Sequence, residues 1–385
     1  MAQTKTILIL GGGVGGVVTA SHLRKKLPRE HRIVIIEREA DYVFAPSFLW
    51  LMTGQRSREK ISRPLAALQK KGIELIQGDI ESIDPAKCTV QVNGDELAGD
   101  YLVIALGAEL APETIPGLAA AGHNLYTLEG AESLRDARLH LTEGRIVVLV
   151  SGIPFKCPAA PYEAAMLLEY DCRKRKIRDQ ISIDLYSPEP GPMGVAGPEV
   201  SGHVRQMVEA KGIGYHPEHT VTQVDPDAHR INFANNTTAD FDFLVYIPPH
   251  RAPQVVREAG LTGESGWVPV DKQTLETSFP NVYAIGDVTG IMLAMGKPLP
   301  KAGVFAHGEA EVVANNLVHS ITGKGKPAIF DGNGECFIEI GDGKAGFGNG
   351  NFFAEPTPQI KLHMPSRVLH LGKVVFEKYW LFKWF

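Results

Sequence analysis

Four cysteines, Cys88, Cys157, Cys172 and Cys336, are the soft nucleophiles of this chain, and Cys157 is the one whose setting suggests chemistry. It lies in SGIPFKCPAAPYEAAM, directly after the apolar run RIVVLV. A thiol beside Lys156 and just ahead of a helix with Pro158 and Pro161 in its first turn is expected to shift toward thiolate, the nucleophilic form. Glu163 follows in the same turn, where it either handles protons near Cys157 or answers the helix dipole. Packing is the ordinary fate of an isolated cysteine. Cys172, near the far end of the same helix, stands roughly 15 Å or more from Cys157 at ~1.5 Å per residue, beyond disulfide reach. Cys88 opens the short strand CTVQVNG and reads as packing. Cys336, in GNGECFIEIGDG, lies on a glycine-bounded strand and is the candidate partner.

A second chemistry is written in glycine. KTILILGGGVGGVVTASHLRKKL…HRIVIIERE reads as strand, turn, helix and strand, with Gly11, Gly13 and Gly16 in GxGxxG register and Glu37 closing the second strand. The first glycine allows the tight turn, the second lets backbone approach a pyrophosphate, and the third packs helix on strand. Glu37 is placed to accept ribose hydroxyls.

These residues need elements to hold them. The chain has 385 residues, 44% hydrophobic and 22% charged, with a formal charge of −5: a globular protein of two or three domains with no general pull toward nucleic acid. The cysteines show neither a disulfide scaffold nor a zinc or iron–sulfur motif, so no metal is expected. TILIL runs into glycines without the flanks of a signal peptide, and no apolar run reaches transmembrane length. DYLVIALGA reads as a buried strand ending in a turn at Ala105 and Gly107, and LETSFPNVYAIGDVTG as a strand ending in Gly286-Asp287. Between them RIVVLV, a helix from about Ala160 to Lys176, ISIDLYS, a helix around Val200 to Lys211, HTVTQVD, a hairpin in HRINFANNTTADFD, and FLVYIP form a second alternating unit. The expected fold class is α/β: a first dinucleotide-binding domain over 1–110 and 265–325, a second Rossmann-like domain inserted over 111–264, and a C-terminal region over 326–385.

The glycine loop, DYLVIALGA and the Gly-Asp segment resemble the three FAD signatures of the two-dinucleotide-binding-domain flavoproteins. That resemblance implies FAD, with Asp287 at its ribityl or pyrophosphate part. Leu106 stands where the second signature usually has Thr. The inserted domain lacks its relatives' second GxGxxG: Ser151 to Pro158 and Ser187 occupy the corresponding places, and Pro154 and Pro158 remove donors from a phosphate turn. The nicotinamide site is therefore expected to be missing.

KCPAAPYE, ECFIEIGDG, VFAPSFLWLMTG with Pro46, Ser47 and Trp50, PPHRAP with Pro249 and Arg251, and LPKAGVFAHGEA with Lys301 narrow the resemblance to sulfide:quinone oxidoreductases and the flavoprotein subunit of flavocytochrome c sulfide dehydrogenase. It implies that sulfide attacks a Cys157–Cys336 disulfide or trisulfide, that Cys336 faces the flavin, and that quinone reoxidises the cofactor. Lys301 would stabilise negative charge at the flavin edge or on quinone, and Pro46 would line the cofactor. No cysteine between Tyr42 and Gly54 offers a covalent tether, so noncovalent FAD is expected. None occurs from Thr127 to Gly130, where some members carry a third. His203, His250 and His307 are given no catalytic role.

The tail RVLHLGKVVFEKYWLFKWF interleaves Phe376, Tyr379, Trp380, Phe382, Trp384 and Phe385 with Lys373, Lys378 and Lys383, and from Lys361 onward it holds five Lys/Arg against one Glu. This is the pattern of a helix lying in the bilayer interface with lysines at the headgroups. Docking on the core or a homo-oligomer contact is the alternative. The expected partners are sulfide, membrane quinone and the bilayer surface, for a peripheral membrane protein. A cytochrome-coupled sulfide dehydrogenase subunit, a type II NADH:quinone oxidoreductase and a flavin redox sensor without turnover are the rival readings.

Overall fold

Parallel strands buried on both faces read as continuous apolar runs, and most of the runs noted above are strands of two parallel sheets, whereas HTVTQVD and CTVQVNG, with their alternating polar residues, join antiparallel sheets. The computed structural model describes residues 4–385. The first sheet has the order Val282–Ala284, Tyr101–Ile104, Thr6–Leu10, Arg32–Glu37, Glu74–Gln77. All its pairings are parallel, with Leu8 between Val34 and Leu102. Its last strand in sequence enters next to Tyr101–Ile104, after the second sheet has been completed. Helices Val14–Lys26 and Gly303–Thr322 cover one face, burying Val17, Ala310 and Val313 against Ile7, Ile9 and Val103. The other face, with Leu8, Leu10 and Ile104, packs on a three-stranded antiparallel sheet that contributes Val90 and Val92.

The second sheet has the order His123–Asn124, Phe243–Ile247, Gly144–Val150, Ile181–Tyr186, Gly214–His216 and is again parallel. Two of its helices end earlier than their periodicity predicts, spanning Ala160–Lys174 and Pro198–Glu209. Lys176 takes a left-handed φ of 63°, which closes the first of them. The predicted hairpin forms as Arg230–Phe233 against Thr238–Asp240.

A three-stranded antiparallel sheet, Asn333–Gly341, Lys344–Asn351 and Gln359–Ser366, follows the two parallel units. Its first strand lies on helix Ala160–Lys174, so Ile338 enters the same apolar cluster as Tyr162, Met166 and Leu185. From Ser366, whose hydroxyl caps the next turn by accepting from Leu369 N–H at 3.2 Å, the chain enters its last helix, Arg367–Trp384.

That helix combines the interfacial expectation with its alternative, docking on the core. Lys373, Glu377, Trp380, Leu381 and Trp384 form a buried stripe. Trp380 and Trp384 join the apolar cluster of the first parallel domain, and Trp380 Nε1–H donates to Tyr42 Oη at 2.8 Å. Val368, Leu371, Val375, Tyr379 and Phe382 form the opposite stripe and are exposed, Val368 by 79% and Phe382 by 84%. The helix is docked by one face and bare on the other. Lys373 does not reach outward among headgroups, because it is buried in an ion pair. Among the described residues, no helix is long and apolar enough to cross a membrane.

Candidate functional site

The loop after strand Gly144–Val150 carries Cys157 at φ 51°. A left-handed conformation costs a non-glycine residue about 1–2 kcal/mol, and the surroundings hold it there. Cys157 N–H donates to Lys301 C=O at 2.7 Å, and Cys157 C=O accepts from Ala160 N–H at 2.9 Å and from the Tyr126 hydroxyl at 3.2 Å. Lys301 extends the connection: its ammonium donates to Asp287 C=O at 2.7 Å and Thr289 C=O at 2.9 Å and lies 3.3 Å from the centre of the Trp267 ring. The cysteine loop is thereby stitched to the Gly286-Asp287 turn.

Cys336 reaches the same place from the C-terminal sheet. It sits in strand Asn333–Gly341 opposite Gly348, so no side chain crosses from the neighbouring strand, and its Sγ lies 3.2 Å from Phe337 C=O. Both thiols are free and pack against one apolar cluster, that of Tyr162, Met166 and Ile338. Cys172 is buried in that cluster and Cys88 in another, each as a packing residue.

The expected drift of Cys157 toward thiolate is reversed. Burial pushes its thiol well above the ordinary range, and Cys336 and Glu163 push it further in the same direction. Burial likewise pushes Cys336 up to about 12, with Glu163 adding to the rise. The physical reason is position. The helix begins at Ala160, past Pro158, and Lys156 is itself desolvated, so that its own ionisation is depressed. Lys373 is the cation that opposes these effects at both sulfurs.

Glu163 is 1% exposed and accepts twice at Oε1, from Lys373 Nζ at 3.0 Å and from Glu339 N–H at 2.8 Å. Its carboxylate thus joins helix Ala160–Lys174, the Cys336 strand and the C-terminal helix. The Pro-Ser-x-x-Trp segment completes the seat. Ser47 Oγ donates to Glu377 Oε1 at 2.5 Å, Arg56 pairs with Glu377 at 2.8 Å, and buried Trp50 carries Arg56 at 4.4 Å and Lys373 at 5.2 Å from its ring centre.

The dinucleotide residues fit FAD. A Cβ on Gly11 would meet Ala105 O at 2.4 Å and one on Gly16 would meet Gly11 O at 1.9 Å, whereas Gly13 and Gly107 face open space, the cradle a pyrophosphate and ring need. Glu37 accepts from Gly12 N–H at 2.7 Å and so stands beside that cradle. Pro46 lies exposed in a short turn before Trp50, and Gly286 adopts φ 75° ahead of half-buried Asp287. Burial raises the Asp287 carboxyl while Lys156 and Lys301 oppose the rise. Lys301 is 6% exposed and depressed to about 8 by burial.

Three further residues stand near the site without having been singled out as site residues by the sequence, although Glu309 and His250 lie within LPKAGVFAHGEA and PPHRAP. Buried Glu309 accepts from Gly286 N–H at 2.6 Å and is pushed up to about 7 by burial. Tyr126 supports the Cys157 carbonyl. His250, stacked edge-on against Tyr126, is depressed to about 3 by burial and then by Lys156. Only the folded chain places them together. His203 and His307 lie elsewhere, the latter against Trp380 and Trp384.

In the second sheet, Ser187 is fully buried and offers no ribose contact. Glu189 turns inward toward the Tyr162 hydroxyl, 3.5 Å away, and burial raises it to about 7. A Cβ on Gly152 would already touch Pro249 at 3.3 Å.

Two parallel sheets, a glycine cradle and a Gly-Asp turn define an FAD-dependent oxidoreductase. The family model described as pyridine nucleotide-disulphide oxidoreductase matches residues 5–310. A sulfide-quinone reductase of Aquifex aeolicus is 30% identical over 99% of this chain and 91% of its own length. The mitochondrial sulfide:quinone oxidoreductase of Mus musculus is 24% identical over 91% of this chain and 79% of its own. The X-ray structure of the sulfide:quinone oxidoreductase from Aquifex aeolicus superposes with a TM-score of 0.89 at 28% identity, covering 99% of this chain and 91% of that one. The chain belongs to the pyridine nucleotide-disulphide oxidoreductase family and, within it, groups with the sulfide-quinone reductases.

Proposed function

We propose that the protein oxidises sulfide at the Cys157–Cys336 pair and delivers the electrons to a membrane quinone. The observation that carries this reading is the convergence of two distant cysteines on one apolar cluster, with Cys157 tied through Lys301 to the Gly-Asp turn. With the pair oxidised to a disulfide, HS⁻ attacks one sulfur, the S–S bond breaks, and a persulfide and a thiolate result. Bound FAD supplies the two-electron acceptor for that thiolate-persulfide pair and the donor to quinone. The residues that would hold it are Gly11, Gly13, Gly16, Glu37, Pro46, Ala105, Gly107, Gly286, Asp287 and Lys301. The absence of a cysteine from Tyr42 to Gly54 supports noncovalent attachment.

Glu163, which is placed to take the proton of an incoming H₂S or thiol, is held in one orientation by two donors. Cys336 lies next to Phe337 on its strand, and the Phe337 ring meets Phe347 and, on the C-terminal helix, Phe376, an apolar setting suited to a quinone head. The bare stripe Val368, Leu371, Val375, Tyr379 and Phe382, flanked by Lys378 and Lys383, supports seating on a bilayer surface, where the quinone resides. The buried Ser187 and inward Glu189 speak against NADH as donor.

The test is steady-state turnover with purified holoprotein. Sulfide is expected to be consumed only when a quinone analogue is present, and NADH is expected to leave both flavin and quinone unchanged. NADH-driven quinone reduction would sink the reading.

A further inference from the structure

We propose that the C-terminal helix completes the sulfur site, because the Lys373 it carries pairs with Glu163 and sets the reactivity of Cys157 and Cys336. The inference rests on the preceding reading of the cysteine pair and deepens it. Lys373 is a positioning residue, acting through the carboxylate and the local field.

Three observations support this. Lys373 is 6% exposed, in a helix whose other face is bare, so its desolvation serves an internal partner. That partner is Glu163, six residues beyond Cys157, at 3.0 Å. The Glu163 oxygen that receives Lys373 also receives the N–H of Glu339, three residues beyond Cys336, so one ion pair bridges the elements holding the two sulfurs.

The groups around the pair can be named. The charges that act on the Cys157 thiol are those of Cys336, Glu163 and Lys373; those that act on Cys336 are Glu163, Lys373 and the adjacent Glu335. Tyr126 and Lys156 stand behind Cys157, and Asp287 lies beyond Lys156. Glu339 turns its carboxylate to His370, at 3.0 Å from both oxygens, and also faces Lys373. Glu163 raises the cost of forming either thiolate and Lys373 lowers it. Withdrawing the helix would remove the cation and leave the carboxylate uncompensated.

The experiment is iodoacetamide labelling of the reduced FAD-bound protein at one pH on the rising limb, read separately at Cys157 and Cys336 by peptide mass. Lys373→Met is expected to slow both sites about tenfold, the effect of one pKa unit, whereas Lys373→Arg stays within about twofold of the parent. Glu163→Gln is expected to speed both sites about tenfold, and adding it to Lys373→Met should restore labelling to near the parent rate. A purely structural Lys373 predicts no such recovery. Unchanged labelling in Lys373→Met, or a slowed variant that Glu163→Gln fails to recover, overturns the proposal. Should Lys373→Met fail to retain FAD, Glu163→Gln alone decides, and labelling no faster than the parent overturns the proposal. None of these readouts requires sulfide turnover, so failure of the proposed substrate would show in the turnover assay and not here.

Discussion

Two thiols that pack on one apolar cluster beside buried Glu163 have their ionisation pushed upward by burial and by that carboxylate. For an acid whose pKa is raised, the thiolate fraction at fixed pH falls and grows about tenfold per pH unit until the pKa is reached. Labelling of Cys157 and Cys336 in the reduced protein is therefore expected to climb through pH 7–9 at about that slope; a plateau below pH 8 in peptide-resolved kinetics would contradict the burial argument. Lys301 makes a second residue-scale prediction. Its ammonium donates to two carbonyls in the Gly-Asp turn, and charged hydrogen bonds are worth about 1.5–3 kcal/mol. Lys301→Met should weaken FAD retention at least about tenfold, measured by flavin released on dilution. Cys157, Cys336 and Glu163 could be picked out as candidates because their flanking residues carry a family pattern. Lys373 was not: its partner lies 210 residues away in sequence, and a lysine among aromatics reads as a surface cation until the facing carboxylate is known.

Among the elements, the C-terminal helix divides its work between two faces. The buried face holds Trp380 against Tyr42 and Phe44. Trp380→Ala is expected to cost about 3–5 kcal/mol of stability, read as a lower denaturant midpoint. The bare face is exposed among the described residues, so Phe382→Asp should leave stability within about 0.5 kcal/mol while reducing sedimentation with lipid vesicles. Retained vesicle binding would remove the membrane role from this face. The composition of the tail revealed apolar bulk but not its phase. Trp380 and Trp384 fall on the stripe with Lys373 and Glu377, and their partners distant in sequence, Tyr42, Ser47, Arg56 and Glu163, show which stripe turns inward.

Over the whole molecule, two parallel sheets and a C-terminal antiparallel sheet contribute to the candidate site: the first supplies the glycine cradle, the second the Cys157 loop, the third Cys336. The strands were legible because parallel sheets demand unbroken apolar runs, and the cradle because close backbone approach demands glycine. What joins the parts was not, because the bonds from Cys157 to Lys301 and from Lys301 to Asp287 use backbone carbonyls, which leave no residue signature. The central claim is that both cysteines stand between sulfide and the cofactor. Anaerobic rapid mixing of sulfide with oxidised holoprotein, followed by flavin absorbance, tests it most directly. The parent protein should bleach and Cys157→Ser and Cys336→Ser should not. Bleaching at the parent rate in either variant would contradict the account.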